Sequence, residues 1–199
     1  MLSRLTTPLV ASLLMCCFTL LSPAAFAEHT HLEAIAGGFK TTHGLKYTIT
    51  SDQLVAKGPM HRTARFGDTP YEISLAALLS ENGAVMIHAE RVANQSGASN
   101  YENLARSDWP NDSFRIDRAT CIEVPASEVE SEHDLKWLRE NGFEPSGSVV
   151  FVQYYATTDD FNDEIVVTLL SRVESCGPDV DPGEVLRPLK ESVVIERAN

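Results

Sequence analysis

Between Tyr71 and Leu79 the chain is apolar at every second position: Tyr71, Ile73, Leu75, Ala77 and Leu79 share one parity, and Glu72, Ser74, Ala76 and Leu78 share the other. A period of two places successive side chains on opposite faces of a strand. Asn82-Gly83 follows, a dipeptide suited to the positive-φ positions of a type I′ turn. Ala84–Val92 then reads as the returning strand, with His88 opposite Ala77. A second hairpin is predicted from Ser148–Thr157 and Glu164–Val173, joined around Asp159–Asp163. With Thr157 facing Glu164, Val150, Val152, Tyr154 and Ala156 share a face with Ile165, Val167, Leu169 and Val173. Phe151, Tyr155, Val166 and Leu170 occupy the other face. Strands apolar on both faces require cover on both.

The period changes once. Leu135 and Leu138, with Trp137 beside them, predict a helix over Ser131–Asn141. Ser131 and Asp134 stand at capping-box spacing and Gly142 at the C′ position. Phe114–Val124 reads as one further strand, with Phe114, Ile116, Ile122 and Val124 on one parity and Cys121 on the other. Leu45–Thr50 and His61–Phe66 are shorter strands, separated by a turn at Gly58-Pro59. Pro182 and Pro188 limit any helix in the tail to a turn or two, and Val193–Ile195 fits an edge strand. Together these elements predict an α+β fold, a mainly antiparallel sheet of five to seven strands with one or two packed helices. A β-sandwich is the alternative, should Ser131–Asn141 only cross the surface.

The N-terminus departs from this pattern. Arg4 precedes an uncharged stretch from Pro8 to Leu21, and Ala25-Phe26-Ala27 places small residues at a cleavage site. Residues 1–27 therefore read as a signal peptide, too short in their apolar part for a membrane span. Residues 28–42, polar and containing Gly37-Gly38, are expected to be a flexible lead-in. Residues 43–199 form one domain. Export also decides the cysteines: of four in the chain, Cys16 and Cys17 leave with the leader. Cys121 and Cys176 remain to form a structural disulfide in an oxidising compartment, the periplasm or the cell exterior.

A net charge of −12 repels phosphate and anionic headgroups, so nucleic-acid and membrane-surface partners are not expected. No Gly-x-Ser-x-Gly, Ser-x-x-Lys, His-Glu-x-x-His or glycine-rich phosphate loop occurs, and no cofactor is implied. His29 and His31 are a candidate Cu(II) or Zn(II) pair; a solvated polar terminus is the plainer reading. His61 and His88 are candidate general bases for a hydrolase; packed strand histidines are the alternative. The acidic run Asp159–Glu164 reads as an exposed hairpin tip rather than a calcium loop. Tyr101 and Trp109 lie on a long polar loop and are candidate contacts for a ligand or partner; Trp109 plugging the core edge is the alternative. The sequence thus describes an exported binding or accessory protein that contacts an envelope protein or a small ligand. A hydrolase and a metal-handling protein are the alternatives.

Overall fold

A computed structural model of the chain describes residues 30–198. The expected leader and His29 lie outside the described residues. From Leu32 the chain pairs at once: β1 (Leu32–Ile35) and β2 (Gly38–Thr41) form a hairpin about Gly37, whose φ is +72°. β3 (Tyr47–Thr50) and β12 (Val194–Arg197) complete a four-stranded sheet in the order β1-β2-β3-β12. The stretch expected to be loose is thus ordered from residue 32 onward. Leu32 and Phe39 bury their side chains. A Cβ at Gly38 would lie 2.0 Å from the Ile49 carbonyl oxygen. The glycine serves the close approach of β2 to β3, not chain freedom.

The larger sheet has eight strands. Its path is β4 (Val55–Phe66), β5 (Thr69–Leu79), β6 (Gly83–Val92), β11 (Asp163–Arg172), β10 (Gly147–Thr157), β8 (Arg115–Ile116) and β7 (Ala105–Arg106), with β9 (Thr120–Val124) also on β10. The pairings are antiparallel. Among the described residues three helices accompany the sheets: α1 (Ala126–Ser131), α2 (His133–Glu140) and α3 (Pro182–Ser192). The architecture is α+β as expected, with more strands than the sequence suggested, and it is not a closed β-sandwich. One face of the large sheet, including Ile87, Val152 and Val167, packs on the small sheet and α3. The opposite face, including Leu79, Met86 and Leu170, packs on α1 and α2 through Val129 and Leu138.

The second hairpin has the expected register, Thr157 opposite Glu164. The first does not. Its turn is centred on Glu81-Asn82, with Leu79 facing Ala84 and Ser80 N–H donating to the Gly83 carbonyl (2.8 Å). Neither Asn82 nor Gly83 has positive φ. His88 therefore faces Leu75 rather than Ala77. Gly58-Pro59 lies inside β4, where the register shifts, and is not a turn. The expected strand Phe114–Val124 is broken at residues 117–119. Ile116 pairs with Tyr154 on one face, whereas Ile122 pairs with Val149 on the other, so their parity is not shared.

The expected single helix is two short ones. Ser131 ends α1, and α2 begins without a side-chain cap. Its far end is as expected: Gly142 has φ +105°. Gly142 N–H reaches the Arg139 carbonyl (3.1 Å) and Phe143 N–H the Leu138 carbonyl (3.0 Å), a Schellman closure. In the tail, α3 continues through Pro188 for 11 residues. An interior proline costs about 3 kcal/mol, and burial of Leu186 and Leu189 against the large sheet offsets it. Asp181 caps the helix by accepting from the Gly183 and Glu184 amides.

Cys121 and Cys176 are disulfide-bonded, with Cα atoms 5.6 Å apart. The bond ties β9 to the segment between β11 and α3. It fits an extracytoplasmic location. No helix among the described residues is long and apolar enough to cross a membrane.

Candidate functional site

The helix-covered face of the large sheet is not covered along its whole length. Its register runs Met60, Leu75, His88, Val166 and Tyr155 in one row, then Arg62, Ile73, Glu90, Glu164 and Thr157 in the next. α1 and α2 close over the Leu79–Leu170 end. Toward the Glu90–Glu164 end the helices contribute Asp134, from the first turn of α2. The loop after β6 supplies the other wall. It is pinned to the β10–β11 turn by Gly97 N–H on the Asn162 side-chain oxygen (2.8 Å) and Ser99 N–H on the Phe161 carbonyl (3.1 Å). A cavity of about 310 Å³ remains between them, and Arg62, His88, Glu90, Asp134 and Glu164 all line it.

Arg62 Nη2 donates to both Asp134 carboxylate oxygens, each at 3.0 Å. His88 lies between two acids, with Nδ1 3.3 Å from Glu90 and Nε2 3.5 Å from Asp134. Burial acts to lower the His88 pKa, but the hydrogen bond to Glu90 and the charges of Glu90 and Asp134 outweigh it and raise it. Glu90 and Glu164 are direct cross-strand neighbours, both buried. Like charges so placed destabilise the pair. Burial and then the Glu90 charge push Glu164 up to about 7; the Tyr101 phenol nearby and the Ser99 hydroxyl only partly oppose this. Ser99 Oγ donates to Glu164 Oε1 at 2.9 Å.

Three polar atoms of the cavity residues are buried without a hydrogen-bond partner: Glu164 Oε2, Arg62 Nε and His88 Nε2. Among the described residues only His31 Nε2 and Tyr154 Oη share that condition. Unpaired buried groups cost about 1–3 kcal/mol each, and three of the five gather at one cavity. Aromatic rings form its rim. Tyr101 stacks on Tyr155 with centroids 4.2 Å apart, and Phe66 meets Tyr71 edge-on at 5.2 Å. Burial first, then nearby carboxylates, raises the pKa values of Tyr71, Tyr101 and Tyr155, the last to about 12. All three are neutral phenols at physiological pH.

The structure separates the two aromatic residues expected to act together. Tyr101 is at the cavity, whereas Trp109 packs edge-on against Tyr154 (4.8 Å) in the core on the opposite side of the sheet. The two histidines considered as bases are separated as well. His88 lines the cavity. His61 lies on the other face, Nδ1 2.7 Å from Ser74 Oγ, and that oxygen also accepts the His31 amide (2.8 Å). Ser74 is fully buried and cannot reach a substrate. His31 is itself buried and stacked on His43 with centroids 5.5 Å apart. Burial, then the His43 and Arg91 charges, lowers its pKa to about 4. The polar terminus is therefore folded in at His31. Among the described residues no group of three or more His, Cys, Asp or Glu side chains is placed to hold a metal ion.

The acidic run is only half a solvated tip. Asp159 and Asp160 are exposed. Asp163 accepts from Arg91 Nε (2.6 Å) and from the Gly44 amide (3.1 Å), and Glu164 faces the cavity. From the sequence, Glu164 reads only as the end of the acidic run and Asp134 only as a helix cap, and Arg62, Glu90 and Ser99 carry no assigned role. One signal was present: Glu90 and Glu164 are acids near the ends of strands that are largely apolar on both parities. It becomes informative only once β6 is known to pair with β11. Comparison with protein-family models, curated proteins and solved structures finds no match for this chain.

Proposed function

We propose that the chain is a non-catalytic, small-ligand-binding protein of an extracytoplasmic compartment, the bacterial periplasm, and that the cavity around Glu164 is its binding site. The observation that carries this reading is the convergence of three partnerless buried polar atoms on one aromatic-rimmed cavity. Native proteins retain such groups where a ligand or a reaction uses them. The volume lies at the small end for ligand sites. The disulfide and the leader-like N-terminus support export. Tyr101 keeps its place as a contact residue, and Trp109 passes to the core.

A serine-hydrolase reading lacks an accessible serine at this site. Ser99 is 1% exposed and directs its proton to Glu164. The near partners of His88 are Glu90 and Asp134, and among the described residues no hydroxyl or thiol is hydrogen-bonded to it for activation.

Thermal-shift screening with amines, carboxylates, sugars and neutral alcohols tests the reading. At least one class is expected to raise the melting temperature of the wild type by several degrees at saturation. Tyr101→Ala is expected to remove most of that shift. No shift from any class, together with ester or peptide turnover abolished by His88→Ala, would replace binding with catalysis.

A further inference from the structure

The charges at the cavity do not balance. Glu90, Asp134 and Glu164 contribute three carboxyl groups, against one guanidinium, Arg62, and one imidazole, His88. Geometry assigns both basic groups. Arg62 is held by Asp134, and His88 lies between Glu90 and Asp134. Glu164 is left without a counter-charge. It is 2% exposed, lines the cavity, and its Oε2 has no partner. Such a carboxyl must either hold a proton or meet a cation. Four aromatic residues, Phe66, Tyr71, Tyr101 and Tyr155, line the same cavity and supply carbon and π surface against which an organic cation packs.

Resting on the binding function proposed above, we propose that the cavity takes a small organic cation, an aromatic or aliphatic amine. Its N–H groups donate to Glu164 Oε2, and its carbon frame lies among the tyrosine rings. The ligand takes the place of the proton that Glu164 otherwise holds. Arg62 Nε is a donor without a partner, which leaves room for an oxygen acceptor on the same molecule. A carboxylate ligand would meet Glu90 and Glu164 with like charge. A neutral ligand would leave Glu164 uncompensated.

The groups facing Glu164 are Glu90 and His88 from β6, Tyr71 from β5, Tyr155 from β10, and Ser99 and Tyr101 from the loop, with Asp134 and Arg62 beyond His88. Glu164 is protonated at low pH and ionised at high pH around about 7. Amine affinity is therefore expected to rise about tenfold per pH unit up to about pH 7 and to level off above it.

Calorimetry with benzylamine, benzyl alcohol and benzoate, three probes of similar shape and different charge, tests this on the full exported chain. Benzylamine is expected to bind at least tenfold more tightly than the other two at pH 8. Glu164→Gln, checked for folding by circular dichroism, is expected to lose that preference and the pH dependence. Tyr101→Ala is expected to weaken all three probes while keeping their order. Equal or tighter binding of benzyl alcohol or benzoate overturns the amine assignment and leaves the cavity a binding site. Absence of benzylamine binding to wild type overturns the assignment as well, and the screen by ligand class then decides whether the binding function falls with it.

Discussion

Glu164→Gln is expected to stabilise the free protein relative to wild type, and to do so more as the pH rises. The folded-state pKa of Glu164 is raised from 4.5 to about 7, chiefly by burial and then by Glu90. The folded state therefore holds a proton that the unfolded chain releases. The stabilisation this gives is complete below the unfolded value and is lost as pH rises through about 7. The shift corresponds to about 3 kcal/mol between pH 4.5 and pH 8. Glutamine cannot ionise and removes that loss. The wild-type profile alone conceals the effect, because His31 acts in the opposite sense. Its folded pKa is lowered to about 4, so its contribution is present above 6.5 and lost as pH falls toward 4. Urea unfolding of both proteins at several pH values isolates Glu164 as a difference. A difference that does not change with pH would show an ordinary carboxylate. A protein more stable without one of its buried acids carries that acid for a purpose other than folding.

Loss of the Cys121–Cys176 bond is expected to have the largest effect on stability. The two residues are 55 positions apart, and closing a loop of that length stabilises the fold by about 4 kcal/mol in the chain-entropy model. For a chain of this size that is a fall of roughly 10 °C in melting temperature. The double variant Cys121→Ser, Cys176→Ser and the reduced wild type should unfold together, well below the oxidised protein. The effect is structural, since neither cysteine lines the Glu164 cavity. Ligand-induced stabilisation should therefore persist in the double variant below its lower transition. A loss under 1 kcal/mol would mean that the unfolded chain is already restrained near these positions.

Much of the architecture was legible because strand and helix periods depend on neighbouring residues. Alternation sorted the faces of β10 and β11, and the register taken for them, Thr157 opposite Glu164, is the one found; Gly142 marked the end of α2. Errors arose where tertiary contacts outweigh local signals. Pro188 reads as a break, yet burial of Leu186 and Leu189 carries α3 past it. Gly37-Gly38 reads as loose chain, yet β3 comes so near that no side chain fits at Gly38. The interruption at residues 117–119 reverses the faces of Ile116 and Ile122, and nothing in the alternation announces it.

The site was less legible than the fold. Its acids come from β6, β11 and α2, its arginine from β4, and its serine and one tyrosine from a loop. No two of Arg62, Glu90, Asp134 and Glu164 are near in sequence, so no spacing could join them. Tyr101 was visible as an aromatic residue on a polar loop, and the same criterion admitted Trp109, which packs into the core. Composition did not separate the two; the face of the sheet onto which each folds did.

The surplus carboxyl at Glu164 is the centre of this account, and it is open to direct measurement. Carbon-13 NMR of side-chain carboxyls, with the Glu164 signal assigned by its loss in Glu164→Gln, follows its ionisation in the free protein. A midpoint near pH 7, moving to lower pH when benzylamine is added, is the expected result. A midpoint near 4.5, unmoved by benzylamine, would show that Glu164 is neither uncompensated nor part of a cation site.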